Sequence, residues 1–157
     1  MAKSTIAKAL SEKAFFSGLK PEYINFLAGC ASKRQIRKDE VLFPHGQTAD
    51  RFFMVQSGRI TLEVAAIEGP PLELQSVGAD EMLGWSWLIP PYKWTFQARA
   101  VEPTEVLEFD GKAVFERCEK EPELGYEMLK RFSALMSERL AFARQKMMEE
   151  WSPPGFA

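Results

Sequence analysis

The spacing of apolar positions changes twice along the chain, dividing it into a helical lead-in, a run of short strands and a second helical stretch. Ser4, placed as an N-cap, precedes Ile6, Ala9 and Leu10 and predicts a short amphipathic helix ending near Leu10. A better-defined helix begins at Pro21, whose fixed φ suits a first helical position. Glu22 lies in its first turn, and Tyr23, Phe26, Leu27 and Cys30 follow at helical spacing. Phe15 and Phe16 are expected to pin this lead-in onto the core. From about Arg34 to Phe109 the pattern is that of strands: Val41–Phe43, Phe52–Val55, Ile60–Val64, Leu72–Gln75, Phe96–Ala100 and Glu105–Phe109. The breakers Pro44-His45-Gly46, Ser57-Gly58, Glu68-Gly69-Pro70-Pro71 and Gly78-Ala79-Asp80 separate them. Such spacing, with no crossover helices, predicts an antiparallel sandwich or barrel rather than a parallel α/β sheet.

After Asp110, an expected N-cap, Lys112 to Lys120 reads as a short helix. Glu121-Pro122-Glu123 opens the longest helix, which is expected to run to about Trp151 and stop at Ser152-Pro153-Pro154-Gly155. Leu129, Phe132, Met136, Leu140, Ala143 and Met147 form one seam along it, and Met128, Leu135 and Phe142 widen it at intervals of seven. The expected organisation is one domain over 1–157, with N-terminal helices over 1–33, strands over 34–110 and helices over 111–151.

At 157 residues and 46% hydrophobic content, the chain can bury one real core. A formal net charge of −2 and a pI near 5.6 give no basic excess for a phosphate backbone. No apolar run approaches the roughly 20 residues that a membrane span requires. Cys30 and Cys118 are far apart with no CxxC spacing, as in a reduced, cytoplasmic protein. His45 is the sole histidine, and no cluster of acids or cysteines accompanies it, so neither a metal nor a cofactor is expected. No nucleophile elbow, Walker loop or dinucleotide fingerprint is present, so the chain is not expected to be an enzyme.

One stretch is specific. Leu42-Phe43-Pro44-His45-Gly46, a polar run to Asp50, Arg51-Phe52-Phe53-Met54-Val55-Gln56, Ser57-Gly58 and Arg59-Ile60-Thr61-Leu62-Glu63 resemble the start of the cyclic-nucleotide-binding domain. The resemblance extends from about Phe15 to Met147 and is greatest to the sensor half of the catabolite-activator family of bacterial regulators. It implies a mainly β fold, a double-stranded β-helix or jelly roll, with N-terminal helices and two C-terminal helices, the last serving as the dimer interface. It also implies a phosphate-binding cassette of Gly-Glu, a short apolar run, then Arg-Ala or Arg-Thr. There glutamate meets the ribose hydroxyl and arginine forks onto the cyclic phosphate.

The corresponding stretch runs from Gly84 to Ala100, and without gaps Trp85 stands at the glutamate position and Trp94 at the arginine position. Both charged anchors are absent. Lys93 could meet an anion as a point charge and Ser86 could supply a hydroxyl, which leaves weak cyclic-nucleotide binding as one alternative. Trp85, Trp87, Tyr92, Trp94 and Phe96 instead suggest either a pocket re-lined for a planar or apolar ligand, or aromatic side chains filling the former cavity. The candidate ligand-binding residues are therefore Gly84, Trp85, Ser86, Trp87, Tyr92, Lys93, Trp94 and Thr95. Arg99 is expected on the next strand, facing solvent or paired with an acid.

The expected function is a non-catalytic sensor or regulatory module for an unidentified small ligand or partner protein; a structural dimerisation domain with a collapsed pocket is the rival. A homodimer is expected through Leu129, Phe132, Leu135, Met136, Leu140 and Ala143. With no residues left for a helix-turn-helix after the long helix, direct contact with nucleic acid is not expected.

Overall fold

The structure is a computed structural model that describes residues 2–64 and 68–150. Its elements are α1 (Ala2–Ser11), a 3-10 turn (Ala14–Phe16), α2 (Pro21–Gly29), β1 (Ala31–Ile36), β2 (Val41–Phe43), β3 (Arg51–Ser57), β4 (Ile60–Val64), β5 (Leu72–Val77), β6 (Met82–Leu83), β7 (Gln97–Ala100), β8 (Thr104–Asp110), α3 (Gly111–Lys120) and α4 (Pro122–Glu150). All strand pairs are antiparallel and form two four-stranded sheets, β1-β8-β3-β6 and β2-β7-β4-β5. This is the expected jelly roll with flanking helices.

Pro21 occupies the start of α2 as anticipated, and Asp110 caps α3 by accepting from the Ala113 amide at 3.1 Å. Beyond shifts of one or two residues at strand ends, three features differ from the expectation. Ser4 lies inside α1 instead of capping it. β1 begins at Ala31, because the helical lead-in passes into a strand directly after Cys30. β6, only two residues long, is too short to show a period. The predicted helix end at Trp151 and the stop over Ser152–Gly155 lie outside the described residues.

β3 shows why the central strands read as continuous apolar runs. Phe52, Phe53, Met54 and Val55 are all buried, because both faces of this strand are covered. Phe53 points into the roll, where its ring stacks on Phe43 at 5.9 Å. Phe52 points the other way and stacks on Phe109 (4.5 Å) and Trp87 (4.8 Å), with Phe132 of α4 edge-on at 5.4 Å. The molecule thus has an inner core within the roll and an outer core between β3–β8 and the helices. Phe15 and Phe16 join the outer core as expected: Phe15 meets Phe132 edge-on at 5.0 Å, and Phe16 lies 6.2 Å from Phe109.

Gly58 closes the β3–β4 hairpin at φ +95°, where a Cβ would stand 2.6 Å from the Pro103 carbonyl oxygen. Arg131 clamps the lead-in to α4. Its Nε donates to the Phe15 carbonyl at 2.7 Å, Nη2 donates to the Ser17 carbonyl, and Nη1 pairs with Glu127.

Candidate ligand-binding site

The cassette leaves β6 through Gly84, whose φ of +90° turns the chain sharply. A Cβ there would lie 3.0 Å from the Trp94 ring and 3.4 Å from the Arg51 carbonyl. Glycine is required at this point to admit an indole. Residues 86–88 form a turn, not a helix, in which the Leu88 amide donates to the Trp85 carbonyl at 3.0 Å. The Trp87 indole N–H donates to the Gly84 carbonyl at 3.2 Å. The returning limb is sewn to the β2–β3 loop: the Trp94 amide donates to Gln47, the Gly46 amide to Trp94 and the Ala49 amide to Tyr92, at 2.7–2.9 Å.

Five aromatics close in sequence separate into four places. Trp94, only 3% exposed, enters the roll and stacks on Phe43 with ring centroids 3.8 Å apart. Trp87 turns to the opposite side and joins the outer core against Phe52 and Phe132. Tyr92 lies edge-on to Phe115 of α3 at 5.7 Å. Trp85 and Phe96, both partly exposed, meet edge-on at 5.8 Å over a remnant of the pocket.

That remnant is lined by Phe43, Leu62, Gly84, Trp85, Ser86, Trp94, Thr95, Phe96 and Arg139, and its void is only about 10 Å³, the room of one water. The described conformation is therefore the filled one. Of the eight predicted ligand residues, Gly84, Trp85, Ser86, Trp94 and Thr95 converge here. Trp87 and Tyr92 do not, because packing against the helices claims their rings. Lys93 does not either: it is exposed and makes an isolated backbone bridge with Thr48. The suggested pairing of Lys93 with Ser86 around an anion is therefore corrected.

Four lining residues lie outside the predicted set, Phe43, Leu62, Phe96 and Arg139, and Arg139 is the charged one. It projects from α4, is 4% exposed, and donates through Nη2 to the Met82 carbonyl at 2.6 Å. Its Nε and Nη1 are buried with no hydrogen-bond partner among the described residues. Burial holds its pKa below the usual arginine value, against the opposing pull of Glu138 and Glu81. A signal existed in the sequence. Leu124, Met128, Phe132 and Leu135 define the inward register of α4, and Arg139 occupies the next place in it.

The same register corrects the predicted dimer seam. Phe132 is fully buried in its own outer core and is not available to a partner as expected, whereas Leu135 and Met136 are partly buried against that core. Leu129, Leu140 and Met147 are exposed, with Met136 and Ala143 partly covered beside them. Arg99 pairs with an acid as anticipated, its Nε and Nη2 each 3.2 Å from the carboxylate of Glu63, with Asp39 at 3.3 Å. The Glu63 hydrogen bond chiefly raises the pKa of Arg99.

No described helix is long and apolar enough to cross a membrane, and no metal-holding cluster occurs among the described residues. Two curated relatives, uncharacterized proteins MT0113 and Rv0104 of Mycobacterium tuberculosis, are each 33% identical over 79 residues. The match covers 50% of this chain, which spans about 15% of the length of those relatives. A solved structure described as a candidate cyclic nucleotide-binding protein of Geobacter metallireducens GS-15 matches with TM-score 0.78 and 25% identity, over 85% of this chain and 97% of that one. The sensor domain of the transcriptional regulator DNR from Pseudomonas aeruginosa matches in fold with TM-score 0.72 and 18% identity, over 88% and 93% of the two chains. The family model for the cyclic nucleotide-binding domain matches residues 33–121, and this chain, with its jelly roll and its aromatic-filled cassette, belongs to that family.

Proposed function

We propose that this chain is a non-catalytic regulatory module whose pocket no longer takes cyclic AMP or cyclic GMP, senses a different small ligand, and answers through α4. One observation carries the reading. The positions of the two charged cassette anchors hold Trp85 and Trp94, and Trp94 occupies the roll interior against Phe43. A cyclic phosphate held at the cassette would lose its hydration with neither charged anchor there to replace it, a loss of several kcal/mol or about three orders of magnitude in affinity. The kinship to a sensor domain of a transcriptional regulator supports a regulatory role.

The output surface in this reading is the exposed stripe Leu129, Leu140 and Met147, flanked by Met136 and Ala143, which a second copy of the chain covers across a two-fold axis. Because Arg139 lies on the inward face of the same helix, events in the pocket reach that surface through one rigid element. Isothermal titration of the intact protein with cyclic AMP and cyclic GMP to 100 µM tests the proposal. No heat of binding is expected; low-micromolar binding of either nucleotide overturns it.

A further inference from the structure

Resting on that reading of the pocket as re-lined, we propose that its ligand is a small monocarboxylate with an apolar body, whose oxygens are held by Arg139 of α4 and not by the cassette. The usual polarity of the site is thereby inverted: the anion sits at the helix, and the apolar part lies among the aromatics.

Three observations combine. The first is Arg139 itself, 96% buried and among the residues that line the void, with the N–H groups of Nε and Nη1 unpartnered among the described residues. A buried cation without an anion is costlier than any unpartnered neutral group, so a site that keeps one is arranged for a charge it does not contain. The second is that the nearby acids are engaged elsewhere. Glu81 accepts from the Gly78 amide at 3.1 Å and Glu138 accepts from the Gln75 side-chain amide at 3.5 Å. Both act on Arg139 through space, yet neither accepts a hydrogen bond from it. The third is that Leu62, Trp85 and Phe96, with the void between them, offer a carboxylate's tail only apolar contact. A planar carboxylate matches guanidinium donors in geometry and charge.

Entry requires little. Trp85 and Phe96 are both partly exposed and form the outer wall by one edge-on contact, so their separation enlarges the void without disturbing Trp94. Trp85 then reports occupancy by its fluorescence.

The test titrates the intact protein with sodium benzoate, and with neutral benzamide of the same shape, to 10 mM at constant ionic strength. Tryptophan fluorescence and thermal midpoint are followed. Benzoate is expected to give a saturable change and a raised midpoint, with benzamide at least tenfold weaker. Arg139→Met should abolish the benzoate response and, by removing an unpartnered buried charge, melt several degrees higher than the parent without ligand. Arg139→Lys, which keeps the charge and loses the planar donors, should bind at least tenfold more weakly. The inference is overturned if benzoate, acetate and phenylacetate all fail to bind. It also fails if Arg139→Met binds benzoate like the parent, or if that variant melts lower while retaining its circular dichroism spectrum, as a purely structural arginine would require. Equal binding of benzamide and benzoate would remove the carboxylate and leave the re-lined pocket standing, whereas cyclic AMP binding removes the pocket reading itself.

Discussion

Trp94→Ala tests the filled pocket most directly. The indole is 3% exposed and stacks on Phe43 at 3.8 Å. An aromatic of this size buries roughly 200 Å², which at about 25 cal/mol per Å² corresponds to about 5 kcal/mol of transfer free energy. Buried Trp→Ala changes cost about 3–5 kcal/mol, because the surroundings relax only partly into the space left behind. The β2–β3 loop should remain in place, since its bonds to the 92–94 limb run through backbone atoms. We therefore expect a loss of about 3–5 kcal/mol in urea unfolding followed by far-ultraviolet circular dichroism, at one fixed protein concentration. The vacated volume should admit indole. At a dissociation constant of about 0.1 mM, 1 mM indole would restore about 1.4 kcal/mol through preferential binding to the folded state. A loss below about 1 kcal/mol, or an unfolding midpoint unmoved by indole in the variant, would refute the claim that Trp94 fills a ligand-shaped space.

Met136→Glu combined with Leu140→Glu should convert a dimer to monomers in light scattering at tens of micromolar, because two carboxylates would face each other across the proposed seam; a monomeric parent protein would end the dimer proposal. Arg131→Met removes the donors that hold the Phe15 and Ser17 carbonyls, so a loss of about 2–3 kcal/mol is expected, with faster proteolysis between residues 11 and 20; cleavage at the parental rate would deny the clamp. Burial pushes the Cys118 thiol up to about 11, with Glu119 adding to the shift. In a Cys30→Ser background its reaction with a thiol reagent at pH 8 should be at least about a hundredfold slower than in urea, accelerating roughly tenfold per pH unit up to that value. A fast native reaction at pH 8 would contradict the burial.

The strands were legible because their side chains meet one environment per face. Ile60–Val64 emerges with the predicted boundaries, and Asp110 caps α3 because a capping carboxylate and its helix are neighbours in sequence. β6 was not legible, since two residues become a strand only when β3 lies beside them. The cassette shows the same limit more sharply. Its sequence displays the missing glutamate and arginine, but the destinations of its aromatics depend on which wall each one reaches. Trp87 and Trp94 lie on opposite sides of the same sheet, and nothing in their spacing assigns one to the helices and the other to the roll.

On α4, the series of threes and fours showed that the helix has more apolar positions than one face holds. Division of those positions waited on the fold. Phe132 went inward because Phe15, Phe52 and Trp87 surround it, while Leu140 remained 71% exposed. The sequence by itself determined the order of the helices and of six of the eight strands, the family and the loss of the charged cassette, all of which depend on residues close along the chain. Only the tertiary structure decided that the pocket is filled by Trp94 and that its remaining cation comes from Arg139. Those residues lie on separate elements, and a site assembled from distant segments exists only where packing brings their side chains to one void.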